Sequence, residues 1–357
     1  MTTSRILCMK FPSFPRHLKL VALIAFALLN APILINYTLH EFSVSDAEYA
    51  ERLGSFLGGY FGSFFALFSV FLLYLTLKSQ ELAIKEQALA NSQQSFETKY
   101  FELIRMHRDN VLEIGMKGRS GRGVFVKMLQ ELREALKIIR QVAEKYNAHL
   151  SERQLQHIAY YCLFFGVGPN SSRMLKVSLL SHFDEGLIDR VEAELGREEV
   201  KASVRREGKF AYKPFEGHQS RLGHYYRHLY QMVKYVHEQP PEIVGDKYEH
   251  VKTIRAQLST HEQALLLINS LTPIGGAWWR MGFIASYGLV KNLPRYFFNS
   301  SVEFDPCGLK EFPAGYFEWE KPISRARGFA QVGEDGPPPS SLNATAVIHG
   351  PWGHPRP

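Results

Sequence analysis

Apolar and polar positions divide the chain into two unlike parts. Near the start lie two long uncharged runs, Leu20 to Ile35 and Phe56 to Leu77. The second, FLGGYFGSFFALFSVFLLYLTL, holds 22 residues without a charge, enough to cross the hydrocarbon core of a bilayer as a helix. The first is shorter and is interrupted by Asn30 and Pro32. Taken alone it also fits the apolar core of a signal peptide, but no small-x-small cleavage site follows and a second apolar run comes directly after. Between the runs, Glu41, Asp46, Glu48 and Glu51 stand against Arg52. Arg5, Lys10, Arg16 and Lys19 precede the first run, and Lys78 and Lys85 follow the second. Positive charge gathers on the cytoplasmic side of membrane proteins. The pattern therefore predicts a basic cytosolic N-terminus over 1–19, a two-span transmembrane hairpin over 20–77 and both termini in the cytosol. Gly58 and Gly62 have the spacing that lets two helices approach closely; glycine is also common in spans, and both readings stay open.

From Lys78 the pattern is helical with no breaker as far as Ile114. Leu75, Leu82, Leu89, Phe96 and Leu103 recur every seven residues, but only one heptad column is apolar. This predicts a stalk helix over 78–97 that associates with a second copy, rather than a strict coiled coil. KGRSGRG, Lys117 to Gly123, reads as a basic loop; it lacks the preceding strand and the Lys-Ser/Thr ending of a phosphate-binding loop. An amphipathic helix is expected over Val124 to Tyr146, and Ser151 with Gln154 has capping-box spacing before HIAYYCLFFGV. Residues 174–206 hold one or two helices closing on the basic ASVRREGK, and Tyr248 to Leu271 reads as one further helix. WWRMGFIASYGLVKNLP reads as a short helix ended by Pro294. Strand signals are nearly absent. The fold class is all-α, with a cytosolic bundle of seven or eight helices over 98–317 and a Pro/Gly-rich tail over 318–357 expected to be disordered.

One stretch stands apart: GHQSRLGHYYRHLYQMVKYVH, Gly217 to His237. Wound at about 100° per residue, it puts Leu222, Tyr226, Leu229, Tyr230, Val233 and Val236 on one side, with Met232 at the margin. Arg221, His224, His228 and Gln231 form a stripe on another side, with Arg227 beyond it. One face suits a core, and the other is rich in imidazole and guanidinium.

Composition adds little to this. The net charge of +7 fits a protein near an anionic membrane face or one that meets nucleic acid, and selects neither. Cys8, Cys162 and Cys307 are odd in number and far apart, which points to reduced thiols in a cytosolic compartment. There is no Gly-x-Ser-x-Gly elbow and no nucleotide-binding loop, so nucleophilic hydrolysis and ATP-driven action find no support.

The combination of a membrane hairpin with FELIRMHRDNV, GHQSRLGHYYRHLYQMVKYV, RAQLSTHEQALLLINSL and YGLVKNLP resembles the phage abortive-infection proteins of the AbiC-like family, over roughly residues 55 to 297. The resemblance implies a role in bacterial defence at the inner membrane, in which an infected cell stops growing or dies before the phage matures. It carries no catalytic assignment.

Several chemistries fit the stripe. Helical defence ribonucleases of the HEPN type carry Arg, four to six residues, then His, so that a guanidinium faces the phosphate while an imidazole moves the proton. Arg221 and His228 have this spacing, with His224 between them, and so do Arg255 and His261. With 14 histidines and 23 arginines, about two or three such spacings arise by chance, so spacing alone decides nothing. A metal site on His224 and His228 needs His107 or His218 to complete it and lacks a nearby carboxylate; no metal and no cofactor is expected. Arg221, Arg227, Arg105 and Arg108 with interleaved tyrosines suit phosphate or nucleic-acid contact. The plainer reading is a polar network between helices that joins Arg105, His107 and Asn110 to His218, Arg227 and Gln231, with Arg255 and Gln257 close by. Two functions follow: an RNA-cleaving effector centred on Arg221 and His228, or a non-enzymatic phage sensor or membrane effector. The partners expected are the bilayer, RNA or a phage component, and a second copy through the transmembrane or stalk helices.

Overall fold

The computed structural model describes residues 31, 47–168, 171–298, 305, 307 and 309–320. The chain divides into two compact units, Met1–Lys85 and Glu86–Pro357. The first expected span and nearly all of the Pro/Gly-rich tail lie outside the described residues. Helix α1, Ala47–Glu113, runs for 67 residues; the unbroken pattern predicts it from Lys78, and the helix also takes in the second apolar run and residues 47–52 of the stretch expected as a loop between the runs. Its portion Gly54–Glu113 is long and apolar enough, by length and composition, to cross a membrane. Within the first unit the side chains of Phe65, Leu67, Val70 and Leu73 are exposed, and no atom comes within 4 Å of a β-carbon built at Gly58 or Gly62.

In the second unit α1 changes character. Leu89 is exposed, but from Phe96 a buried stripe runs through Tyr100, Ile104, His107 and Val111 at helical spacing. Helix packing therefore begins at Phe96, within the segment assigned to the stalk. The KGRSGRG region is not a plain loop: Gly115–Met116 and Arg119–Ser120 pair antiparallel as a two-residue hairpin.

Helix α2, Gly123–Lys145, buries one face from Val124 to Val142 and packs chiefly on α3, Glu152–Phe165. The capping box at Ser151 and Gln154 is formed, so the start of α3 is fixed by its own sequence. From Leu155 to Phe165 every α3 residue is buried. A helix buried all round is the inner member of a bundle, and α3 meets neighbours on each side. Residues 174–206, expected to hold one or two helices, belong to three: α4, Ser172–Leu180; α5, Glu185–Gly196; and α6, Glu198–Glu207.

Helix α7, Gln219–Glu238, is the imidazole-rich stretch. After the short α8, Pro241–Val244, the helix expected over Tyr248 to Leu271 is split into α9, Lys247–Arg255, and α10, Thr260–Ser270. The cause is a second capping box, in which Ser259 accepts from the Glu262 amide and Glu262 accepts from the Ser259 amide. The last expected helix is likewise split, into α11, Ala277–Arg280, and α12, Phe283–Tyr287, at Gly282 in the left-handed region. The described residues of 123–298 thus hold eleven α-helices, three of them no longer than five residues, rather than seven or eight.

Candidate functional site

Helix α7 is seated by a backbone crossing. Gly166 and Gly217 both have φ near +85°, and a β-carbon on Gly217 would lie 2.4 Å from the Phe165 carbonyl oxygen. Only glycine fits such a crossing. It lets the His218 amide donate to the Leu163 and Phe164 carbonyls, and the Val167 amide to Phe215.

Beneath this crossing lies Glu131 of α2, fully buried. Its carboxylate accepts from the Phe215 amide at 2.6 Å, the Tyr212 hydroxyl at 2.7 Å and His218 Nε2 at 2.9 Å. Phe215 sits at φ 64°, a costly position for a bulky residue, and the bond to Glu131 helps hold it there. His218 therefore anchors the start of α7 and is not part of the stripe.

The stripe itself lies along α1. Arg221 Nε donates to the Gly115 carbonyl, just past the end of α1, at 3.0 Å. The His228 ring lies 5.8 Å from that of His107, at an interplanar angle of 16°. The Tyr235 ring stacks on Phe96 at 5.5 Å and lies under Lys99 at 4.5 Å. As the α7 side rises through 221, 228 and 235, its partners fall through 115, 107 and 96, so the two helices run antiparallel with the 221/228/235 column as their seam.

At the centre of this seam are two imidazoles. All four ring nitrogens of His107 and His228 are shielded from solvent, and among the described residues none has a hydrogen-bond partner. Burial first, then the neighbouring His228 and Arg122, pushes His107 down to about 4. Burial and then His224 lower His228 as well. Both rings are thus neutral near pH 7. Their nearly parallel faces do not aim two lone pairs at one ion, and His218 is committed to Glu131, so the arrangement does not suit a shared metal. The hydrogen-bonded network expected around His107 is instead a contact of ring faces, extended by Tyr225 at 5.2 Å.

The other sequence candidates are scattered. Arg105 turns outward to grip the Glu102 carboxylate at 2.7 and 2.9 Å. Arg108, His224 and Gln231 are exposed, and Asn110 is half-buried. Arg227 borders a cleft of about 240 Å³ walled by Phe164, Tyr226, Tyr230 and Trp278, away from the seam. Gly223 makes no tight helix approach: a β-carbon there would meet only Phe164, at an ordinary 3.8 Å. Arg255 is buried and donates to the Tyr287 and Gly288 carbonyls, while His261 stands on the next helix against Phe297. The backbone carbonyl of Gln257 accepts from Arg122 at 2.7 Å.

Three residues that the sequence reading passed over matter here. Tyr225 is fully buried and donates to Glu262 at 3.0 Å. Glu262, itself buried, also lies 3.5 Å from Arg122 Nε. Glu131 was detectable, since it stands one position before Leu132 and three after Met128 on the apolar side of α2.

Against known families, residues 217–298 match the model described as "putative phage abortive infection protein". No curated protein and no solved structure matches the chain. The matched stretch opens at the Gly217 crossing and takes in α7, α9, α10 and both short helices after them; the wider resemblance from residue 55 narrows to it. Over residues 217–298 the chain is therefore similar to the phage abortive-infection family model, in agreement with the AbiC-like resemblance.

Proposed function

We propose that this chain is a membrane-anchored abortive-infection protein that works as a non-enzymatic sensor or effector, with the α1–α7 seam as its coupling element. The observation that carries this reading is the antiparallel seam. The most distinctive helix of the family segment lies along the helix that also holds the apolar run. A phage component bound by the family segment would shift α7, and α1 would be displaced with it. The Arg221–Gly115 bond and the paired rings of His107/His228 and Phe96/Tyr235 are the contacts through which such a shift would pass.

The ribonuclease reading has less support. The Nε of Arg221 is engaged by a backbone carbonyl, and the His228 nitrogens are shut away from solvent. A general base must reach the proton that it moves. Membrane anchoring is supported by the length and composition of Gly54–Glu113. Lysines at the centre of that run would each cost about 3 kcal/mol on insertion. The double variant Leu67→Lys/Val70→Lys is therefore expected to leave the membrane fraction and lose phage protection. Wild-type protein extracted from membranes by alkaline carbonate would contradict the anchor.

A further inference from the structure

The basic segments KGRSGRG and ASVRREGK take no direct part in the ring-face seam, yet the fold brings them together. Gly118, in the hairpin turn, faces Ala211: a β-carbon built on it would lie 3.0 Å from that of Ala211. Around this contact is a cleft of about 180 Å³ whose cations are Lys117, Arg119, Lys127 and Lys209. Beside it, a second cleft of about 440 Å³ is lined by Lys201, Arg205, Arg206, Lys209 and Lys213. Lys209 belongs to both.

Of the acids nearby, Glu207 accepts only from the Ser203 hydroxyl, while two others are paired with cations. Glu198 is held by Lys213 at 2.7 Å and Glu216 by Lys201 at 2.9 Å. Among the described residues, no carboxylate pairs with Lys117, Arg119, Arg205, Arg206 or Lys209, all of which are exposed. Lys127 leans on Gln130 and the Gly208 carbonyl at 2.9 Å. It is held below the ordinary lysine range by burial, then by Arg119 and Lys209. These cations repel one another, and an anion between them relieves the repulsion.

Lys209 adds an independent observation. It follows the end of α6 with φ 49°, in the left-handed region that glycine takes without strain, while Gly208 before it has φ −77°. An exposed lysine in that position costs the fold stability and offers no packing in return. Strain of this kind collects where a side chain is needed for function.

We infer that the two clefts form one site, centred on Lys209, for the phosphodiester backbone of a nucleic-acid strand. The other polyanion of similar chemistry is an anionic bilayer. A bilayer is flat, and segments that dock on it pair cations with exposed apolar anchors. Here the cations line concave clefts, and the aromatic residues beside them, Phe210 and Tyr212, are withdrawn from the surface. A strand of phosphates can follow such a bent track. Backbone contacts read no sequence, so the site is expected to bind without base preference. The inference is independent of the seam reading, since none of these residues lies in the ring-face contact of α1 and α7.

The test uses full-length protein in neutral-lipid nanodiscs and a fluorescently labelled single-stranded RNA of about 20 nucleotides, read by anisotropy at about 50 and about 200 mM salt. Wild type is expected to bind with a steep loss of affinity as salt rises. The triple variant Arg119→Gln/Arg206→Gln/Lys209→Gln should bind at least tenfold more weakly, with a salt slope shallower by about two. Lys137→Gln, at an exposed position of α2 beside Glu134 and outside both clefts, should bind as wild type does. Lys209→Gly separates strain from binding: it should melt at a higher temperature and still bind the RNA at least threefold more weakly. Wild type that fails to bind at low salt overturns the inference, as does a folded triple variant or Lys209→Gly that binds normally. Retention on vesicles containing anionic phosphatidylglycerol that needs these same residues, with no RNA binding, overturns the nucleic-acid assignment in favour of a lipid surface.

Discussion

Glu131 accepts three hydrogen bonds while shielded from solvent, and His107 accepts none while equally buried. The two residues carry opposite kinds of information. Glu131 is fixed by its donors: removing it strands the Phe215 amide, the Tyr212 hydroxyl and His218 Nε2 together. Glu131→Ala is therefore expected to lower stability by about 3–5 kcal/mol, read by urea denaturation. His107 is held neutral. Its ordinary value of 6.5 falls to about 4 in the folded protein, because burial and then His228 and Arg122 disfavour a proton there. Between those values the unfolded chain binds a proton that the folded chain rejects. The stability is thus full above about 6.5 and drains away as pH falls toward about 4. This group accounts for about 3 kcal/mol of that loss. His107→Phe keeps a ring in the seam and removes the proton site, so its stability should decline less steeply over the same interval. An unchanged slope would show that the imidazole does not titrate as described.

At the scale of elements, legibility followed locality. The capping box of Ser151 and Gln154 and the core face of α7 were readable because each depends on residues within a few turns. The break between α9 and α10 used the same signal, Ser259 with Glu262, but lay inside a strong apolar pattern that masked it. Tyr225 falls at the edge of the α7 core face, and only its long-range bond to Glu262 fixes it as buried. The Arg-to-His spacing was visible but not interpretable, since Arg221 and His228 are spent on Gly115 and His107, far away in the sequence. The element that depends most on a single backbone contact is the start of α7. Gly217→Ala drives a β-carbon to within 2.4 Å of the Phe165 oxygen at a φ of +87°. A loss of about 2–4 kcal/mol is expected, seen as a lowered melting temperature. A melting curve like wild type would mean that α3 and α7 do not cross at this point.

In the whole molecule, one helix holds the apolar run and continues into a bundle whose residues 217–298 match the abortive-infection family model. The family match covers the segment from the start of α7 onward, and the fold sets α7 beside α1 through Arg221, His228 and Tyr235. The ring-face seam requires that His228 act through its shape and not through its proton chemistry. The most direct test replaces His228 with Phe in cells and measures phage plating efficiency alongside the integrity of total RNA. Phenylalanine keeps a flat ring against His107 and carries no titratable nitrogen. The expected result is a folded, membrane-associated variant that protects within a few-fold of wild type, with RNA intact in both strains after infection. Loss of protection in a folded, correctly located His228→Phe protein, together with RNA cleavage that wild type performs and the variant does not, would contradict it.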